Sequence, residues 1–258
     1  IGEIAPWQLT FIAVGLPGIL IAGLFLTIRE PQRKIQESES IEVPSFSKVI
    51  QYVKNNWEVY GAIIIGNSCL IILLYGLQSW VPTMLLRVYE WDLIQSGRVY
   101  GSIAMLAGSA GVLSGPFVLK YMSKINVIAP HFKLAIFGIS MASISLVLLP
   151  FQPNVNIALV CVTMASFFVT LPLAGTSSAM VIVSPNRIRG VITGIYVVVT
   201  SIFGLVLGPF LVASSTDFIF QDTNAVAKSL ALVSVLVGPV GIFFMFKGIN
   251  SFREIQNV

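Results

Sequence analysis

The sequence predicts an all-α membrane protein, and three observations carry that prediction. Charged residues make up 10% of the 258 and hydrophobic types 56%, with a mean hydropathy of +0.90, whereas a soluble domain carries about 25% charged residues. So few polar side chains do not cover a water-facing globule, which excludes a soluble enzyme, a nucleic-acid binder or a disordered tail. Second, seven stretches contain no Asp, Glu, Lys, Arg or His, each near the roughly 20 residues a helix needs to cross hydrocarbon. Third, the lysines and arginines gather between alternate stretches. The net charge of +4 therefore reports orientation in the lipid bilayer rather than a nucleic-acid partner.

The stretches are residues 7–28, 59–86, 99–119, 134–151, 157–183, 191–213 and 229–246. They are too long and too evenly apolar for barrel strands, which alternate over about 10 residues. Helices satisfy their own backbone in lipid. The second stretch places Asn67, Ser68, Tyr75, Gln78 and Ser79 within roughly 120° of helical arc, and the fifth places Thr163, Ser166, Thr170 and Ser177 within roughly 60°. Two such stripes suit the wall of one aqueous cavity. Alternatively, the hydroxyls bond their own helix or a neighbour.

The third stretch carries Gly101, Ala104, Gly108, Gly111 and Gly115, and the sixth Gly190, Gly194, Ser201, Gly204 and Gly208. Small residues at this spacing let another helix approach closely. The expected partners of these faces lie in chain beyond this sequence, or the two glycine helices dock on each other. Pro172 and Gly208-Pro209 predict kinks beside the polar stripes, and Pro17-Gly18 and Gly238-Pro239 structural kinks elsewhere. Cys69 and Cys161 have neither metal nor redox spacing and read as packing residues. The sole histidine, His131, falls between stretches, so no group suited to proton relay lies inside a span.

One side of the predicted bundle collects Arg29, Arg33, Lys34, Lys48, Lys54, Lys120, Lys124, Lys133, Arg187, Arg189, Lys247 and Arg253, the other only Arg87, Arg98 and Lys228. This bias puts the first residue outside and the C-terminus in the cytoplasm. The longest connection, 29–58, then lies inside. It holds the solvated Glu37-Ser38-Glu39, and its second half, where Val49, Ile50 and Val53 mix with Lys48, Gln51 and Lys54, predicts a short amphipathic helix on the membrane surface.

Particular residues look familiar. The stretch Tyr75-Gly76-Leu77-Gln78-Ser79-Trp80-Val81-Pro82-Thr83-Met84-Leu85-Leu86-Arg87-Val88-Tyr89, then Pro185-Asn186-Arg187-Ile188-Arg189-Gly190, then Gly208-Pro209-Phe210-Leu211-Val212-Ala213 with Asp217, resembles the second half of spinster-like transporters of the major facilitator superfamily. The opening Trp7-Gln8-Leu9-Thr10-Phe11, Gly15-Leu16-Pro17-Gly18 and Arg29-Glu30-Pro31 resemble that family's sixth helix and its exit. The resemblance implies a major facilitator fold with seven of twelve transmembrane helices present. Residues 1–28 would be the last helix of the N-terminal half, 29–58 the central cytoplasmic loop, and 59–258 the C-terminal six-helix bundle, with a missing N-terminal half as partner.

In that fold the first and fourth helices of each half line the cavity and the second and fifth meet the other half. Asn67, Tyr75, Gln78, Thr163, Ser166 and Thr170 then become the expected solute contacts. Gly101, Gly108, Gly111, Gly115, Gly194, Gly204 and Gly208 become interdomain packing residues, and Lys120, Lys124, Arg187 and Arg189 loop-motif residues. The family's loop motif expects Asp where Leu119 stands in Gly115-Pro116-Phe117-Val118-Leu119-Lys120, which removes one half of a charge-clamped gate. The expected activity is secondary active transport of a small organic solute by alternating access, with no cofactor, no metal and no enzymatic chemistry, in a plasma or bacterial inner membrane. The rival is a seven-helix receptor with an external N-terminus, against which stand the long loop after the first span and the lack of an outer cysteine pair.

Overall fold

A computed structural model describes residues 5–27 and 45–256. The chain divides into two units, Ile1–Glu42 and Val43–Val258. The first contains α1, Pro6–Phe25, a 20-residue apolar helix with Pro17 in its interior and a length of about 30 Å. The Arg29-Glu30-Pro31 exit, Arg33, Lys34 and the Glu37-Ser38-Glu39 cluster lie outside the described residues.

The second unit begins with α2, Phe46–Asn55, and continues with six helices long and apolar enough to cross a membrane. These are α3 Trp57–Val88, α4 Leu93–Lys124, α5 Pro130–Phe151, α6 Val155–Val183, α7 Arg189–Phe220 and α8 Val226–Gln256. Each contains its apolar stretch, and two begin at side-chain caps. The Asp92 carboxylate accepts from the Gln95 amide at 2.8 Å and starts α4, and the Asn154 side chain accepts from the Asn156 amide at 2.8 Å and starts α6. Such caps satisfy amides that the first helical turn leaves bare.

Helix α3 is the hub. In its most apolar window 72% of it is buried, against 17% for α4 and 28% for α7, and Tyr60, Leu70, Leu77, Met84 and Leu85 along it are fully enclosed. It packs most extensively on α8 and also on α7 and α6. Helix α4 leans chiefly on α6. The peripheral α4 and α7 therefore present long apolar faces outward, including Leu113 and Phe117 on one and Val198 and Phe210 on the other.

Successive helices alternate in direction, so their ends form two opposite rims. Among the described residues, Lys48, Lys54, Lys120, Lys124, Lys133, Arg187, Arg189, Lys247 and Arg253 belong to one rim, and Arg87, Arg98 and Lys228 to the other. At the basic rim the Tyr60 hydroxyl donates to the Val183 carbonyl at 3.0 Å, tying α3 to the end of α6. Beneath it, Val49 of α2 is buried and Tyr52 meets the Tyr60 ring edge-on at 6.1 Å. Of the apolar residues expected on one face of α2, Val49 and Val53 pack on the bundle, while Ile50 turns outward. At the other rim the Tyr89 hydroxyl donates to the Gln152 carbonyl at 2.8 Å. Burial raises the Tyr89 pKa, so this donor persists into alkaline solution.

Candidate solute-binding site

The junction of α3, α6 and α7 is polar and uncharged. Asn67 on α3 is 3% exposed, and its side-chain oxygen accepts from the Thr176 hydroxyl of α6 at 2.7 Å. Thr176 reaches it because α6 breaks at Leu171 and Pro172. Proline offers no amide to the helical ladder, and the ladder restarts with the Thr176 amide donating to the Pro172 carbonyl at 2.9 Å. On the same side the Ser177 hydroxyl lies 3.5 Å from the hydroxyl of Tyr196 on α7, a buried tyrosine. An asparagine amide carries two N–H donors besides its oxygen. Those of Asn67 have no acceptor among the described residues.

Farther along α3 toward the less basic rim, Tyr75 is half-buried against Gly204 and Gly208 of α7, and Gln78 and Ser79 are exposed. The Trp80 indole donates to the Pro209 carbonyl at 3.0 Å, fixing α3 to α7 just beyond them. Asn67, Tyr75 and Gln78 thus share the α3 face that the sequence assigned to solute.

The stripe on α6 is placed differently. Thr163 donates to the Leu159 carbonyl of its own helix at 2.7 Å, Ser166 is buried with no partner for its hydroxyl, and Thr170 donates to the Gly108 carbonyl of α4 at 3.0 Å. Gly108 closes a π-helical segment, Ala104–Gly108. Such segments disturb the regular backbone ladder, and a hydroxyl from the neighbouring helix serves the carbonyl there. The Thr163 and Thr170 hydroxyls are thus engaged by helix carbonyls, the Ser166 hydroxyl is not, and the α6 and α7 polar groups beside the break are Thr176, Ser177 and Tyr196. Thr170→Val, which keeps the shape and removes the donor, is expected to cost roughly 1 kcal/mol. It should appear as a lower thermal midpoint in detergent with transport preserved.

The glycine faces also find partners inside the bundle. A Cβ on Gly111 would collide with the Thr170 hydroxyl and the Phe167 carbonyl, and one on Gly115 with the Leu171 carbonyl. The α4 stripe thus docks on α6. A Cβ on Gly204 would strike Ile71, and one on Gly208 would stand 2.7 Å from the Ile72 carbonyl oxygen, so the α7 stripe docks on α3. The close neighbours of these four glycines are therefore α6 and α3, where the sequence alone points to chain beyond this sequence or to the other glycine helix. Only Gly101 and Gly194 of the seven have open space where a side chain would begin.

At the basic rim Lys120 and Lys124 are exposed on the last turns of α4, where cations suit the helix C-terminus. Arg187 is exposed in the loop before α7. Arg189 donates through Nε and Nη2 to the Ser184 carbonyl at 3.3 and 3.2 Å and so caps the end of α6.

Thr176 is a neighbour of Ser177, which the sequence did place on a polar stripe, but it lies a position off the pattern. Tyr196 is the one polar ring within an otherwise aliphatic run, Ile195 to Val199, and belongs to no stripe of polar residues.

A family model described as Major Facilitator Superfamily matches residues 1–209. Among solved structures, the chain is similar to a bacterial homologue of the human lysosomal transporter Spinster in an inward-facing, unoccupied conformation. The TM-score is 0.60 at 17% identity, covering 99% of this chain and 60% of that one. The inward-facing, occupied conformation gives 0.57 at 17% identity, covering 99% and 58%. At that identity the likeness is one of fold. The chain spans about 60% of the length of those structures. A search of curated proteins finds no significant sequence match.

Proposed function

Because the chain belongs to the Major Facilitator Superfamily, an assignment resting on a match over residues 1–209, we propose that it works as the C-terminal half of a spinster-like secondary transporter for a small organic solute. The observation that carries this reading is the Asn67–Thr176 pair at the break in α6. A hydrogen-bonding site beside an interrupted helix is the arrangement that solute sites of many secondary transporters share. Asn67 and Gln78 offer amides, Tyr75, Ser177 and Tyr196 ring or hydroxyl surface, and the apolar stretches of these helices, 59–86, 157–183 and 191–213, contain no Asp, Glu, Lys, Arg or His. In this reading any coupling to protons or sodium runs through residues of the N-terminal half, the partner of this chain. On the same reading the basic rim is the cytoplasmic one, with α2 and the C-terminus on the inner side of a plasma or bacterial inner membrane. Gly101 and Gly194, open on α4 and α7, lie on the faces presented to the N-terminal half.

The test is flux. The intact protein carrying this chain, reconstituted in lipid vesicles and offered a panel of uncharged and zwitterionic organic solutes, is expected to accumulate at least one saturably, above protein-free vesicles. Binding with a conformational response and no flux would favour the receptor reading instead.

A further inference from the structure

Helices α5 and α8 enclose an apolar groove of about 360 Å³. Its floor is the close crossing of the two helices, where a Cβ on Gly238 would stand 2.5 Å from the Ser143 hydroxyl. Its walls include Ile144, Val235, Pro239 and Ile242. A second depression shares Pro239 and Ile242 and continues along α8 to Lys247 and Asn250, so the two form one channel running toward the basic rim. The ends of α5 and α8 that flank its mouth carry three cations. Lys247 lines it. Lys133 follows Phe132, and Arg253 follows Phe252, two rings in contact at 5.0 Å between centroids. All three cations are exposed. Among the described residues no carboxylate pairs with them, and the nearby Glu58 carboxylate accepts from Ser251 at 2.8 Å.

The dimensions match one leaflet. From Lys247 to Gly238 is about 14 Å of helix, and from Lys133 to Ser143 about 15 Å, against a half-thickness of about 15 Å for the hydrocarbon core. An apolar slot one leaflet deep with clustered cations at its outer edge fits an amphiphile whose head is negative. We infer that this groove is a specific site for one anionic phospholipid of the leaflet at the basic rim, its phosphate held by Lys133, Lys247 and Arg253 and one acyl chain lying over the Gly238–Ser143 crossing. The groove shares no lining residue with the solute junction, so it stands or falls independently of the solute reading.

Native mass spectrometry of the intact protein, released from mixed micelles containing equal phosphatidylglycerol and phosphatidylcholine, tests it. The expected result is retention of one phosphatidylglycerol with at least tenfold preference. The preference is expected to vanish in the triple variant Lys133→Gln, Lys247→Gln, Arg253→Gln, and to persist in Lys120→Gln, Lys124→Gln, which removes the same kind of charge elsewhere on the rim. Val235→Trp and Ile144→Trp, at exposed positions that fill the slot without altering charge, are each expected to lower retention several-fold while the thermal midpoint stays unchanged. Equal retention of the two lipids by the unaltered protein overturns the inference. So does undiminished phosphatidylglycerol retention in the triple variant, and retention equally lost in the Lys120, Lys124 variant reduces it to general attraction by the rim.

Discussion

Gly208→Val is expected to abolish the folded bundle, while Gly194→Val on the same helix leaves it intact. A Cβ at Gly208 meets backbone on two sides, the Ile72 carbonyl oxygen at 2.7 Å and the Gly76 amide at 3.0 Å, with Tyr75 at 3.2 Å. Backbone of a packed helix has no rotamer with which to retreat, so α7 would have to move off α3 as a whole. That move also breaks the Trp80–Pro209 bond and opens the core at Val212, which is fully buried. Overpacking ordinarily costs about 1–3 kcal/mol, and the rigid surroundings place this case at or above the upper end, a large part of the roughly 5–15 kcal/mol by which domains are stable. Gly194 has nothing within 4 Å of its would-be Cβ. Size-exclusion profiles in mild detergent check the pair: aggregation for Gly208→Val, a monodisperse peak for Gly194→Val. A monodisperse Gly208→Val protein with an unaltered melting point would show that α7 does not dock on α3 as described.

Asn67→Leu is the second large effect. It is expected to lower solute uptake by roughly 10- to 100-fold, the factor that corresponds to about 1.4–2.7 kcal/mol lost when recognition by a buried amide disappears. The fold should survive, because Thr176 retains its second acceptor, the Leu173 carbonyl at 3.0 Å, and leucine suits the apolar surroundings of α3. Thr176→Val is expected to be milder, about fivefold, since it removes the group that orients Asn67 and leaves the amide donors in place. Because the two residues act as one unit, the double variant should be no worse than Asn67→Leu alone, a non-additivity that contacting residues produce. Uptake measured in vesicles at matched protein content decides the matter, with the Thr170→Val protein as a packing control. Wild-type uptake by Asn67→Leu would remove Asn67 from the site, and additive losses in the double variant would separate it from Thr176.

Amino-acid order alone determined the membrane-crossing architecture, because crossing lipid imposes conditions that composition must meet residue by residue. Charge-free length, internally satisfied backbone and the bias of Lys and Arg are all one-dimensional, and six membrane-length helices with the cations at one rim follow from them. The polar face of α3 was legible for the same reason, since Asn67, Tyr75 and Gln78 belong to one uninterrupted helix whose period is known. Tertiary structure alone decided which faces meet. A stripe of glycines states that something comes close and says nothing about what, so the assignment of Gly111 and Gly115 to α6 and of Gly204 and Gly208 to α3 required the packed bundle. The break at Pro172 had the same consequence for the site: Thr170 before it turns to α4 and Thr176 after it turns to Asn67, a change of neighbour that a uniform helical period does not register.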